Sequence, residues 1–151
     1  MGPMRDSWRQ MLRSLRQTII PALRSKLESV RKTDAPKKIL IVEDDIDSVR
    51  TLSMLVADMG HIVEYAINGY VAVTLARRFK PDIVLLDLGL PGLDGFDVCD
   101  QIKQDPDLRD VRVIVITGYG QPEFRERSRS AGCEAHLVKP VAPETLEKLL
   151  S

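Results

Sequence analysis

Cysteine is scarce in this chain, with only Cys99 and Cys133 among 151 residues. The pair fits no metal-ligand spacing, and without an export signal it reads as two buried thiols rather than a disulfide; no chemistry is assigned to it. No continuous apolar stretch approaches the length a membrane helix requires, so no transmembrane segment is expected. The first residues alternate arginine with apolar side chains instead of building the apolar segment of a signal peptide, which leads to the expectation of a cytoplasmic protein. Net charge is also missing, since 22 basic residues balance 22 acidic ones. What remains is a chain with 44% hydrophobic residues, enough for one globular domain with a core and an appendage.

The balance of charge hides an uneven distribution. Residues 1–34 carry eight Lys/Arg against Asp6, Glu28 and Asp34, a net of +5, which leaves −5 on the remainder. Within this basic stretch Trp8, Leu12, Leu15, Ile19, Leu23, Leu27 and Val30 recur at steps of three or four, while Arg9, Arg13, Gln17 and Glu28 fall elsewhere around the helix. The pattern predicts an amphipathic helical extension, either kinked at Pro21 or made of two short helices meeting there. Packing on a partner helix, in a homodimer or against the rest of the chain, is its first reading, followed by a linker that orders on binding. A basic surface for nucleic acid or anionic membrane comes last, because Trp8 with Arg5 and Arg9 is too little and no recognisable DNA-binding motif is present. "TDAPKK", residues 33–38, marks the boundary, giving an extension over 1–34 and a second domain over 37–151.

Beyond that boundary, apolar runs at 39–42, 62–66, 83–87, 113–117 and 136–139 alternate with helical periodicity at 47–59, 69–79, 95–104, 122–131 and 143–150. Five strand and helix pairs in alternation predict a five-stranded parallel sheet with helices on both faces. Runs such as "IVLL" and "VIVI" lack polar alternation, as strands buried on both sides require. In such a sheet the chemistry gathers beyond the carboxyl ends of the strands. Those ends carry "EDD" (43–45), Asp87, Thr117 and Lys139, the last followed by Pro140.

Each of these residues has an ordinary structural explanation alone, but together they form a coherent set. Close carboxylates repel unless a cation lies among them, and an oxygen-rich site suits Mg²⁺, which shares phosphate oxygens with a substrate. A hydroxyl and an ammonium are then donors to a phosphoryl group, and one carboxylate can act as the in-line nucleophile that becomes an aspartyl phosphate. The buried strand leading into "LDLGLPGLDG" thus serves to place Asp87 rigidly. Pro91, Gly92 and Gly95 let the chain reverse after it.

The strand-end set "ILIVEDD", "LLDLGLPGLDG", "VIVITG" and "HLVKP" resembles the receiver domain of two-component response regulators, over residues 37–151. The resemblance implies the chemotaxis-type, flavodoxin-like α/β fold with strand order 2-1-3-4-5. It implies Asp87 as phosphoacceptor, Asp44 as a direct Mg²⁺ ligand, Glu43 as the outer acid, and Gly89 as the residue whose backbone carbonyl completes the metal site. Thr117 would bond the phosphoryl group, Lys139 would pair with it, and the bond to Pro140 would be cis. A histidine kinase or a histidine phosphotransfer protein would be the donor, and a downstream protein the target. Where the family often has a phenylalanine or tyrosine that moves on activation, this chain has His136, which is either a switch residue or a histidine closing the fifth strand. The positions two beyond the phosphoacceptor and two beyond the threonine, which affect phosphoryl lifetime in the family, are Gly89 and Tyr119.

Three rival readings compete with this one. A Mg²⁺-dependent phosphatase of the haloacid dehalogenase type would carry a second aspartate two residues after its nucleophile, where this chain has Gly89. A flavodoxin-like nucleotide binder would need glycines and backbone N–H groups where "EDDID" stands. A receiver-like interaction module independent of phosphorylation would not need the full acidic, hydroxyl and ammonium set. The expectation is a stand-alone receiver, or the receiver-bearing end of a larger signalling protein, which is not an enzyme beyond catalysing its own phosphorylation and dephosphorylation.

Overall fold

The computed structural model describes the backbone of residues 10, 11, 13–31 and 35–151, and their side chains except those of 15 and 27–31. Two units result, Met1–Ala35 and Pro36–Ser151.

In the first unit a π-helical turn, Leu15–Ile19, runs into helix α1, Ile20–Arg31. Two helical segments thus meet beside Pro21. The chain stays helical through the proline, and the wider π turn lies over the residues whose i→i+4 ladder Pro21 interrupts by lacking an N–H. Ile19, Ile20 and Leu23 are exposed. The predicted apolar positions Trp8, Leu12, Leu15, Leu27 and Val30, like Arg5 and Arg9, lie outside the described side chains.

The second unit is a single sheet of five parallel strands in the order β2-β1-β3-β4-β5. The strands are β1, Lys38–Val42; β2, Ile62–Ala66; β3, Ile83–Leu86; β4, Arg112–Thr117; and β5, Ala135–Val138. Helices α2, Ile46–Asp58; α3, Gly69–Phe79; α4, Gly95–Gln104; α5, Pro122–Ser130; and α6, Pro143–Leu150, follow each strand in turn. The strand order and the helical layers are those expected from the sequence. The ends of the elements move by one residue in places, with Asp87 and Lys139 falling just beyond β3 and β5 instead of inside them.

Alternation along the strands explains the two layers. Leu40, Val42, Val84, Leu86 and Val113 face one way and pack with Ala72, Val73 and Ala76 of α3 and Val98, Cys99 and Ile102 of α4. Their neighbours Ile39, Ile41, Ile83, Leu85, Ile114 and Ile116 face the other way, onto Val56 of α2 and Leu146 and Leu150 of α6. Asp45, Asn68 and Asp94 cap α2, α3 and α4 through their side chains, and proline opens α5 and α6.

Two glycines after β3 are required for different reasons. Gly92 has φ +76°, the left-handed turn geometry expected of it. Gly95 is instead a point of close approach, since a Cβ there would lie 2.6 Å from the Asp87 carbonyl oxygen and 2.7 Å from Leu88 Cα. The first turn of α4 therefore rests directly on the backbone that follows Asp87.

Candidate functional site

The sheet's hydrogen-bond ladder continues one residue past the strands. Glu43 N–H donates to the Ala66 carbonyl at 3.0 Å, Asp87 N–H to Val42 at 2.9 Å, and Lys139 N–H to Thr117 at 2.9 Å. Backbone bonds thus fix the start of three candidate side chains at one rim of the sheet.

From that rim Glu43, Asp44 and Asp87 each offer a carboxylate oxygen, all within 4.8 Å of one another. Lys139 reaches into the same group, its Nζ 2.5 Å from Glu43 Oε2 and 3.2 Å from Asp87 Oδ2. The other oxygen of Asp87 accepts from Gly89 N–H at 3.2 Å, and Glu43 Oε1 accepts from Asp45 N–H at 3.2 Å. Glu43 is buried, Asp87 half-buried and Asp44 exposed, so the cluster opens to solvent on the Asp44 side. Asp45, the third acid of "EDD", turns away: its Oδ2 takes Ser48 N–H at 2.9 Å and Ser48 Oγ at 2.6 Å as the cap of α2.

The electrostatics separate the two inner acids. Burial raises Glu43 above the ordinary carboxylate range, and the neighbouring Asp87 adds to this against the opposing ammonium of Lys139 and N–H of Asp45. Burial also pushes Asp87 upward, but the Gly89 N–H, the interaction with Glu43 and the Lys139 ammonium outweigh it and leave Asp87 below its ordinary value. Burial depresses Lys139, and the two acids overcome this to hold it above its ordinary value. Asp87 is accordingly the carboxylate kept ionised, beside an ammonium kept charged. An all-carboxylate donor set of this compactness fits a hard, oxygen-seeking divalent ion such as Mg²⁺ and would not suit a thiophilic metal.

Thr117 is fully buried at the end of β4, its hydroxyl accepting Tyr119 N–H at 3.3 Å. Tyr119 arches back over the site: its Cε2 lies 3.3 Å from where a Gly89 Cβ would stand, and its ring stacks on Phe124 at 5.2 Å between centroids. His136 holds this loop from below. Its Nε2 is 2.7 Å from the Tyr119 carbonyl oxygen, which only accepts, so Nε2 carries a proton. Its Nδ1 is 2.8 Å from Ser128 Oγ, whose hydroxyl also lies 2.9 Å from the Phe124 carbonyl. Lys139–Pro140 is a cis peptide.

Phe124 and Ser128 were not singled out from the sequence. Their only sequence signal is a pair of less polar positions in the highly charged "PEFRERSRS", four residues apart and therefore on one face of α5.

A family model described as the response regulator receiver domain matches residues 39–151. The chain is 35% identical over 117 residues to the polar-differentiation response regulator DivK of Brucella anthropi, covering 77% of this chain and 95% of that protein. It is 37% identical over 114 residues to protein PilH of Pseudomonas aeruginosa, covering 76% and 94%. Among solved structures, chemotaxis protein CheY4 of Vibrio cholerae superposes with a TM-score of 0.73 at 29% identity, covering 77% of this chain and 97% of that one. The receiver domain of a sensor histidine kinase from Pseudomonas aeruginosa, solved with a magnesium ion coordinated in its active site cleft, superposes with a TM-score of 0.71 at 30% identity, covering 77% and 95%.

Proposed function

The chain belongs to the response regulator receiver domain family and is a receiver in phosphorelay signalling, and from that premise we propose that Asp87 is its phosphoacceptor, with Glu43, Asp44, Asp87 and the Gly89 carbonyl holding Mg²⁺. The phosphatase reading is not favoured beside this membership. The observation that carries the proposal is the ladder-fixed Asp87 carboxylate, flanked by two acids and 3.2 Å from the Lys139 ammonium.

In the proposed step Asp87 Oδ attacks the phosphorus of a phosphohistidine in line. The Oδ–P bond forms, the P–N bond breaks, and the leaving imidazole takes up a proton. Bound Mg²⁺ would supply positive charge to the phosphoryl oxygens. Glu43 holds Lys139 in place before transfer, and the ammonium then has a phosphoryl oxygen to pair with in addition to Glu43. The Thr117 hydroxyl gives up the Tyr119 N–H to donate to the phosphoryl group. That exchange pulls on the loop that His136 grips, and the loop and α5 repack as the switch. Chemistry of this kind makes the chain a catalyst only of its own phosphorylation and dephosphorylation, acting in the cytoplasm with a histidine kinase or phosphotransfer protein as donor.

Transfer from a labelled phosphohistidine protein to the parent chain, and none to Asp87→Asn, is the expected result. Label transferred equally to both would overturn the assignment. For the extension we propose a second copy as partner, supported by the exposed Ile19, Ile20 and Leu23. Sedimentation of the full chain should show a dimer that Leu23→Glu weakens, and identical sedimentation of the two would remove the proposal.

A further inference from the structure

Cys99 and Cys133 take no part in the phosphoryl site, yet the fold brings them together from 34 residues apart, with their sulfurs 3.2 Å from each other. Both are free thiols. Cys99 is fully buried on α4, and Cys133 is half-buried in the turn between α5 and β5, directly after Gly132 at φ +89°. A disulfide has its sulfurs about 2.05 Å apart, so the gap to close is on the order of 1 Å.

The surroundings are unequal in a way that suits chemistry between the two. The thiols of Cys99 and Cys133 share a hydrogen bond that either can donate, and this contact, opposed by burial and Asp100 and aided by the nearby Lys103 ammonium, lowers Cys99 below the ordinary thiol value. The same bond, together with burial, pushes Cys133 up. Lys103 is one turn on from Cys99 and is anchored by its Nζ on the Val111 carbonyl at 2.7 Å, with its stem 3.7 Å from the Cβ position of Gly132. Cys133, the more accessible sulfur, lines a cleft of about 190 Å³ whose rim carries Arg125, Arg129, Glu134 and His136. What carries the chemistry is placement: one sulfur belongs to a residue lining the cleft, and the second lies 3.2 Å away, within reach to attack it.

We propose that Cys99 and Cys133 form a reversible intramolecular disulfide when a small hydroperoxide enters the cleft at Cys133. The Cys133 sulfur takes the terminal oxygen of the peroxide as the O–O bond breaks, giving a sulfenic acid and releasing water or an alcohol. The Cys99 sulfur then attacks Cys133; the S–S bond forms, the S–O bond breaks, and the departing hydroxide leaves as water with the Cys99 proton. Two thiols and one hydroperoxide thus yield one disulfide, one water and one alcohol or second water. The new bond ties α4, whose first turn rests on the backbone after Asp87, to the entry of β5, whose far end leads to Lys139. The proposal is independent of the phosphoryl reading.

The test is hydrogen peroxide treatment of the full chain, followed by intact mass and by alkylation under denaturing conditions with and without a reductant. The expected product is monomeric, lighter by two hydrogens, with neither cysteine alkylated until reductant restores both. Cys99→Ala and Cys133→Ala controls should not show this loss. In Cys99→Ala a sulfenic acid on Cys133 is trapped by a dione probe. Because the parent chain itself gives the decisive reading, poor folding of a variant does not blunt the test. Two thiols that stay alkylatable, separate oxygen adducts without a bridge, or only chain-to-chain dimers would each overturn the proposal.

Discussion

Replacing Lys139 with alanine separates two roles that the geometry superimposes. Its ammonium lies 2.5 Å from Glu43 and 3.2 Å from Asp87, among carboxylates confined within 4.8 Å. A dication held by the same acids would sit roughly 5 Å from that charge, a repulsion of about 2 kcal/mol even at the dielectric of water and more at an effective value near 20. Since about 1.4 kcal/mol is tenfold in affinity, Lys139→Ala should bind Mg²⁺ about tenfold more tightly, or better. The loss of the ammonium has an opposing effect, because Glu43 and Asp87 then repel each other by about 3.5 kcal/mol at the 4.8 Å limit with an effective dielectric of 20. That repulsion raises one of the two carboxyls in the variant. The comparison therefore belongs at alkaline pH, where this rise matters least. Calorimetric titration of parent and variant with MgCl₂ should show the tighter constant in the variant, while its metal-free urea midpoint falls. Equal or weaker Mg²⁺ affinity in the variant would refute the placement of the ammonium among the acids proposed to hold the metal.

Three further outcomes follow from separate contacts. Gly95→Ala should lower stability by about 2 kcal/mol, because the clash of its Cβ with the Asp87 carbonyl and Leu88 Cα at 2.6 and 2.7 Å exceeds the gain in helix propensity; an unchanged or raised urea midpoint would contradict this. Arg112 holds Glu134 below the ordinary carboxylate value through bonds of 2.6 and 2.7 Å. A depressed acid binds its proton less readily folded than unfolded, so its contribution is complete above about pH 4.3 and fades on acidification. With both side chains partly exposed, Glu134→Gln should cost less than about 1 kcal/mol at pH 7 and less still at about pH 3, as read by urea midpoints at the two values; an equal cost at both would rule out the pair as its source. His136→Phe removes the bonds to Ser128 and the Tyr119 carbonyl, together about 1–3 kcal/mol. Amide exchange over residues 118–121 should quicken accordingly, and unaltered exchange would show that the histidine does not hold the loop.

The sheet and its functional rim were readable in the sequence because both depend on local signals. Short apolar runs rich in Val and Ile, too short for helices, read as buried strands, and the residue ending each run lies at the same edge of a parallel sheet, which brings Glu43, Asp87, Thr117 and Lys139 together. What was not readable depends on distances across the fold. Asp45 looked equivalent to its two neighbours, and only the geometry of α2 assigns it to Ser48. Gly95 looked like a turn residue, but its constraint comes from the backbone after Asp87. His136 could not be read further, because its partners Ser128 and Tyr119 lie on a helix and a loop whose packing no period encodes. Cys99 and Cys133 were two scattered thiols until the α5–β5 turn placed one against the other. Pro21 was expected to kink a helix or to mark the meeting of two, and a π turn ends at Ile19 where the following α-helix begins at Ile20.

The central claim is that Asp87 becomes phosphorylated, and intact mass after incubation with Mg²⁺ and a small acyl phosphate tests it most directly, with parent and Asp87→Asn side by side. The account predicts one added phosphoryl group on the parent, mapped by peptide mass to Asp87 and lost on omission of Mg²⁺, and none on the variant. Addition to both chains, or to the parent at another residue, would contradict it.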